Sequence, residues 1–84
     1  MLRVSRLTDY GIILLGHMAL RPLQDRVSTR DLAERSGLPL TTVCKILKVL
    51  ARQGLLLSHR GAQGGYALAR LPGEITMAEV YRAL

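Results

Sequence analysis

Between Leu40 and Gln53, the apolar residues Val43, Ile46, Leu47 and Leu50 recur at i, i+3, i+4 and i+7, the spacing that lines one side of an α-helix. At about 100° per residue, Thr41, Lys45, Lys48 and Arg52 fall on the opposite side. The segment therefore has one face made for a protein interior and another that is cationic. Gly54 supplies its C-terminal stop, which places this helix at residues 40–53.

The interior it packs into must be lean. Eighty-four residues make one domain, 1–84, and a chain of that size buries only about 60–65% of the surface its unfolded form exposes. With three tyrosines and neither Phe nor Trp, the core has to be aliphatic, which suits packed helices. A first helix is expected at about 5–20, capped by Ser5 or Thr8, with Ile12, Leu15, Met18 and Ala19 as its apolar face and Pro22 beyond its end. A second, 28–36, opens on Ser28 as N-cap with Asp31 three residues on, an acidic variant of the capping box, and closes at Gly37. Leu38-Pro39-Leu40 then forms a short connection into the cationic helix. Leu55-Leu56-Leu57-Ser58 and Tyr66-Ala67-Leu68-Ala69 flank the glycine-rich Arg60–Gly65 and read as a β-hairpin over 55–69. After Pro72-Gly73, Thr76 and Glu79 form a capping-box pattern that opens a last helix, 76–84, carrying Val80, Tyr81 and Leu84. Two helices joined by a tight turn, followed by a glycine-tipped hairpin, define a mainly α winged helix-turn-helix: a three-helix core, a two-stranded wing and a following helix.

Twelve Lys and Arg against six Asp and Glu give a net charge of +6 and point to a polyanionic partner. The distribution sharpens this: after Glu34 the next acid is Glu74, while Arg35, Lys45, Lys48, Arg52, Arg60 and Arg70 lie between. A merely solubilising surface would not need such segregation. Membrane-surface binding would require a long amphipathic helix with bulky aromatics, and none is present. Arg3 and Arg6 ahead of the apolar Gly11–Leu15 loosely imitate a secretory signal, but Asp9 and His17 interrupt it and no small-residue cleavage pattern follows, so a cytoplasmic protein is expected.

A helix fits the major groove of B-DNA, where each base pair shows a distinct donor and acceptor pattern. Thr41 and Thr42, in the first turn of the cationic helix, suit base edges or phosphates; Lys45 suits guanine or phosphate; Lys48 and Arg52, further along, suit the backbone. The hairpin tip carries Ser58, His59, Arg60, Gly61, Gly64 and Gly65, and an arginine on a narrow ribbon fits the electronegative minor groove. For each lysine the plain alternative is a solvated helix face; for the glycines, a simple hairpin turn; for Tyr66, packing at the hairpin base. His17 and His59 have no ligand partners at metal spacing, and no nucleophile–base pattern, P-loop or dinucleotide fingerprint occurs, so neither a metal site nor an enzyme is expected. The single cysteine, Cys44, excludes an intramolecular disulfide.

Leu7-Thr8-Asp9-Tyr10, Asp31-Leu32-Ala33-Glu34, Gly37-Leu38-Pro39, the run Lys45-Ile46-Leu47-Lys48 to Gly54-Leu55 and, above all, Arg60-Gly61-Ala62-Gln63-Gly64-Gly65-Tyr66 resemble the IscR/NsrR family of winged-helix regulators, nearest the branch that governs iron-sulfur cluster assembly. The resemblance spans nearly the whole chain. It implies that Pro39, Thr41, Thr42, Cys44 and Lys45 face DNA, that Arg60 enters the minor groove, and that Tyr10, Ser28 and Thr29 hold phosphates. It also implies a homodimer on a two-fold operator and, in many members, an iron-sulfur cluster held by three cysteines beyond the wing domain. Those cysteines and the pairing helix would follow Leu84, so no cofactor is expected on these residues. Cys44, about 110° from the centre of the core stripe, is read as a small residue near DNA rather than a ligand or redox switch. The expected partner is double-stranded DNA; the alternative is a winged-helix module that binds protein and keeps its basic face for solubility.

Overall fold

The computed structural model describes residues 6–22, 25–61 and 64–84; Ser5, considered above as a cap, and Ala62 and Gln63 at the hairpin tip lie outside them. Helix α1 spans Arg6–Ala19, so Thr8 is not its cap but sits inside the first turn, 2% exposed. Its core face also differs from expectation. Leu14 (0% exposed), Gly11 and Met18 are buried, whereas Ile12 and Leu15 are half-buried and Ala19 is exposed. The run Ile12-Ile13-Leu14-Leu15 is apolar at every azimuth, so periodicity cannot choose among its residues. Tertiary packing chooses instead: a Cβ at Gly11 would overlap the tip of Leu84 and lie 3.7 Å from Ile46.

Helix α2 spans Thr29–Ser36. Ser28 caps it, accepting from the Asp31 N–H at 3.0 Å, while the Asp31 carboxylate receives Arg21 Nη2 (2.9 Å) and Arg35 Nε (3.0 Å). The acidic side chain thus ties α2 to the end of α1. Helix α3 spans Leu40–Arg52 and buries Val43, Ile46, Leu47 and Leu50, each 0% exposed. Gln53 is its C-cap. The last turn closes as a Schellman motif, with the Gly54 N–H donating to Ala51 O and the Leu55 N–H to Leu50 O, both at 3.0 Å. Leu55 is consequently part of the helix stop, and strand β1 begins one residue later, at Leu56–His59.

Strand β1 pairs antiparallel with β2, Gly65–Leu68, in the register Leu56↔Leu68 to His59↔Gly65. The far edge of β2 is also engaged: Val27, just before α2, bridges to Tyr66 through two backbone hydrogen bonds of 2.9 Å. A 3₁₀ turn at Pro72–Glu74 leads to α4, Met77–Ala83, with Thr76 as N-cap and a complete Thr76–Glu79 capping box. Glu79 also pairs with Arg70, just past β2. Leu14, Leu32, the four stripe residues of α3, Leu55, Leu56 and Val80 close into one aliphatic core. Each fully buried Leu, Ile or Val contributes about 1.5–3 kcal/mol of transfer free energy, and their common contact fixes α3 against the rest.

Candidate nucleic-acid interface

Once its apolar stripe is buried, α3 has to turn its other side outward. Thr41, Lys45, Lys48 and Arg52 are all exposed, Thr42 and Cys44 are half-buried at the margins, and Pro39, the N-cap, is exposed. Pro39 makes no side-chain cap bond, so the first N–H groups of α3 are not closed off by a side chain of their own cap. Next in the chain comes the wing: Ser58, Arg60 and Gly61 are exposed, His59 and Gly64 half-buried.

Ion pairing neutralises some cations and leaves others open. Arg21, Arg35 and Arg70 are neutralised by Asp25 and Asp31, by Asp31, and by Glu79 respectively. Among the described residues, no ion pair engages Lys45, Lys48, Arg52 or Arg60. Their charge stays open to an external anion.

The Val27–Tyr66 bridge brings the start of α2 beside the base of the wing. Ser28 is exposed and Thr29 half-buried there. The Ser28 hydroxyl accepts the cap bond, which leaves its O–H free to donate to a phosphate oxygen. Tyr10, by contrast, is half-buried and packs against the core from α1. Tyr66 does likewise from β2, as a packing residue.

The glycines of the wing serve two different ends. A side chain on Gly61 (φ +103°) would meet open space, whereas a Cβ on Gly64 would lie 2.5 Å from His59 O, and one on Gly65 2.5 Å from Val27 O. The last two are thus required by the protein's own backbone. Sequence reasoning missed the Val27 contact and with it the role of Gly65. The available signal was an apolar residue directly before the Ser28 cap, in a stretch otherwise polar. Arg30 was missed too: exposed in the first turn of α2, beside Ser28 and Thr29, it enters no ion pair among the described residues.

Helix-turn-helix followed by a hairpin wing, with open positive charge on the outward helix and on the hairpin, defines a winged-helix nucleic-acid-binding class of protein. The chain belongs to the Rrf2 family, iron-dependent transcriptional regulators, whose pattern it matches over residues 4–84. It is 32% identical to the HTH-type transcriptional regulator IscR of Xenorhabdus nematophila, over 99% of this chain and 51% of that one. Among solved structures it is similar to CymR, the global cysteine regulator of B. subtilis, with a TM-score of 0.91, 30% identity, and coverage of 100% of this chain and 65% of CymR. It is similar also to T. potens IscR, with a TM-score of 0.87, 38% identity, and coverage of 99% of this chain and 61% of that one. The chain spans about half the length of the curated relatives it matches, 51–56%. No helix among the described residues is long and apolar enough to cross a membrane.

The family description raises iron, and the residues present do not fit a cluster. Iron-sulfur clusters take several thiolates. This chain holds Cys44 alone, and the described residues contain no group of three His, Cys, Asp or Glu able to hold a metal ion.

Proposed function

We propose that this chain is the sequence-specific, double-stranded-DNA-binding part of a bacterial transcription regulator, with α3 in the major groove and the wing in the minor groove. One observation carries the reading: Lys45, Lys48 and Arg52 on the outward side of α3, and Arg60 on the hairpin that follows, are all exposed and free of acidic partners among the described residues. A surface kept positive in this way suits a polyanionic duplex, and a helix and a ribbon are the shapes that enter its two grooves.

Thr41, Thr42 and Lys45 read base edges, with Pro39 and Cys44 against the groove wall; Lys48 and Arg52 neutralise phosphates. Arg60 enters the minor groove, with Ser58, His59, Gly61 and Gly64 along the adjoining backbone. Ser28 and Thr29 hold phosphates at the start of α2, and Tyr10, whose ring packs against the core, does so from α1. The parent protein acts in the cytoplasm as a homodimer on a two-fold operator, and its targets are iron-sulfur or redox-related genes, in keeping with the family description. A cluster, where a longer parent has one, is held by residues other than these.

The test is fluorescence anisotropy against a duplex selected by this chain from a random-sequence pool. Lys45→Glu with Arg60→Glu abolishes binding while the helical circular dichroism is unchanged. Absence of binding to any duplex at low salt, or equal affinity for all sequences, refutes the reading. Capture of a protein partner by a chain that never binds DNA favours a protein-interaction module.

A further inference from the structure

The wing meets the helix-turn-helix along a short backbone seam. Val27 N–H donates to Tyr66 O and Tyr66 N–H to Val27 O, both at 2.9 Å, on the edge of β2 that β1 leaves open. Gly65 lies at this seam with φ +140°. A Cβ there would stand 2.5 Å from Val27 O, 2.9 Å from Val27 C and 3.3 Å from Ser28 N. All three are backbone atoms, so no rotamer change makes room, and the φ itself disfavours any L side chain.

The seam joins the two halves of the candidate interface. Gly65 is paired with His59, and Arg60 is the next residue. On the other side Val27, 2% exposed, runs directly into Ser28, the cap of α2, and α2 packs on α3 through the buried Leu32 and Ala33. A two-stranded hairpin on its own is marginal in water. Here the bridge to Val27 gives β2 a second neighbour and anchors the hairpin to the frame that holds α3.

We propose that Gly65 is a positioning residue for DNA recognition: by letting β2 lie against Val27, it fixes the offset between Arg60 and the outward face of α3, and with it the spacing on the duplex between minor-groove and major-groove contacts. The inference rests on the function proposed above. An arginine held at a set offset binds without the ordering cost of a loose one and rejects duplexes whose narrow A·T segment is displaced.

The experiment uses the pool-selected duplex and derivatives in which the A·T-rich segment is shifted by one or two base pairs. The wild-type chain prefers the original spacing by about tenfold, the effect of one mismatched position. Gly65→Ala still binds through α3 but loses the spacing preference. In its background Arg60→Ala has less than about a twofold further effect, while Lys48→Ala weakens both backgrounds alike. A Gly65→Ala chain that keeps the spacing preference and the full Arg60 effect overturns the proposal and leaves the proposed function standing. If wild type binds no duplex, both fall.

Because Gly65→Ala can also fail to fold, amide exchange of the unmodified chain is a second measurement. A fixed seam makes the Val27 and Tyr66 amides exchange with core amides such as Leu47. Exchange about 100-fold faster means that the wing swings independently and overturns the proposal.

Discussion

Lys48 and Arg60 are both exposed and both unpaired among the described residues, yet the proposed function gives them different work. Lys48 is a mobile ammonium in the middle of the outward helix face, so Lys48→Ala weakens every duplex alike and lowers the slope of log K against log salt by about 1. Arg60 sits at the end of a ribbon, so Arg60→Ala costs most on duplexes with a narrow, A·T-rich minor groove. Anisotropy on paired A·T-rich and G·C-rich duplexes at several salt concentrations separates them, and equal effects of both changes on all duplexes refute the distinction. In the interior, Leu47→Ala removes a wholly buried side chain and lowers stability by about 2–5 kcal/mol, read by urea titration. The outward set Thr41, Lys45, Lys48 and Arg52 was legible residue by residue, because a strong apolar stripe leaves only one direction for the remainder. Gly65 was not: its requirement comes from the distant Val27 carbonyl, and a lone apolar residue before the Ser28 cap does not say what it will meet.

At the scale of elements, the caps carry most of the local information. Ser28 and Thr76 both cap as their spacing suggested, through bonds to Asp31 N and Glu79 N. Thr76→Ala destabilises α4 by about 0.5–2 kcal/mol, a melting-temperature fall of several degrees in a chain of this length. Glu79 does more than complete its box. The Arg70 guanidinium first, and the Thr76 backbone N–H second, hold its carboxyl below the ordinary glutamate value. A lowered folded-state pKa contributes stability that is fully present above the unfolded value of about 4.3 and is lost as pH falls through the folded one. Acidification below that range therefore loosens α4 in the wild type, and Glu79→Gln removes this part of the acid transition in a pH-resolved thermal melt. Elements with one apolar stripe and a cap were readable in the sequence. The rotation of α1 was not, because four consecutive apolar residues leave its phase to Gly11, Ile46 and Leu84. The Val27 bridge was hidden for a related reason, since one residue of strand pairing has no period.

Across the whole molecule, the order of helices and hairpin was available from capping and periodicity alone, and the high structural similarity to CymR and IscR agrees with it. The interface is a more demanding object, since it depends on which cations stay unpaired. Composition gives +6, but only the fold shows that Asp25, Asp31 and Glu79 neutralise arginines outside α3 and the wing. If Lys45, Lys48, Arg52 and Arg60 each meet a phosphate, log K falls with log salt at a slope of roughly −3 to −4, and anisotropy between low and moderate salt measures it.

That division of charge also gives the molecule a direction. Every acidic side chain belongs to α1, α2, α4 or the turns beside them, while α3 and both strands carry none. Lys45, Lys48, Arg52 and Arg60 accordingly place four of the six net positive charges on α3 and the hairpin, so the molecule is unevenly charged. In the field of any polyanion it experiences a torque before contact, which turns α3 and the hairpin forward and makes a larger share of encounters begin in a usable orientation.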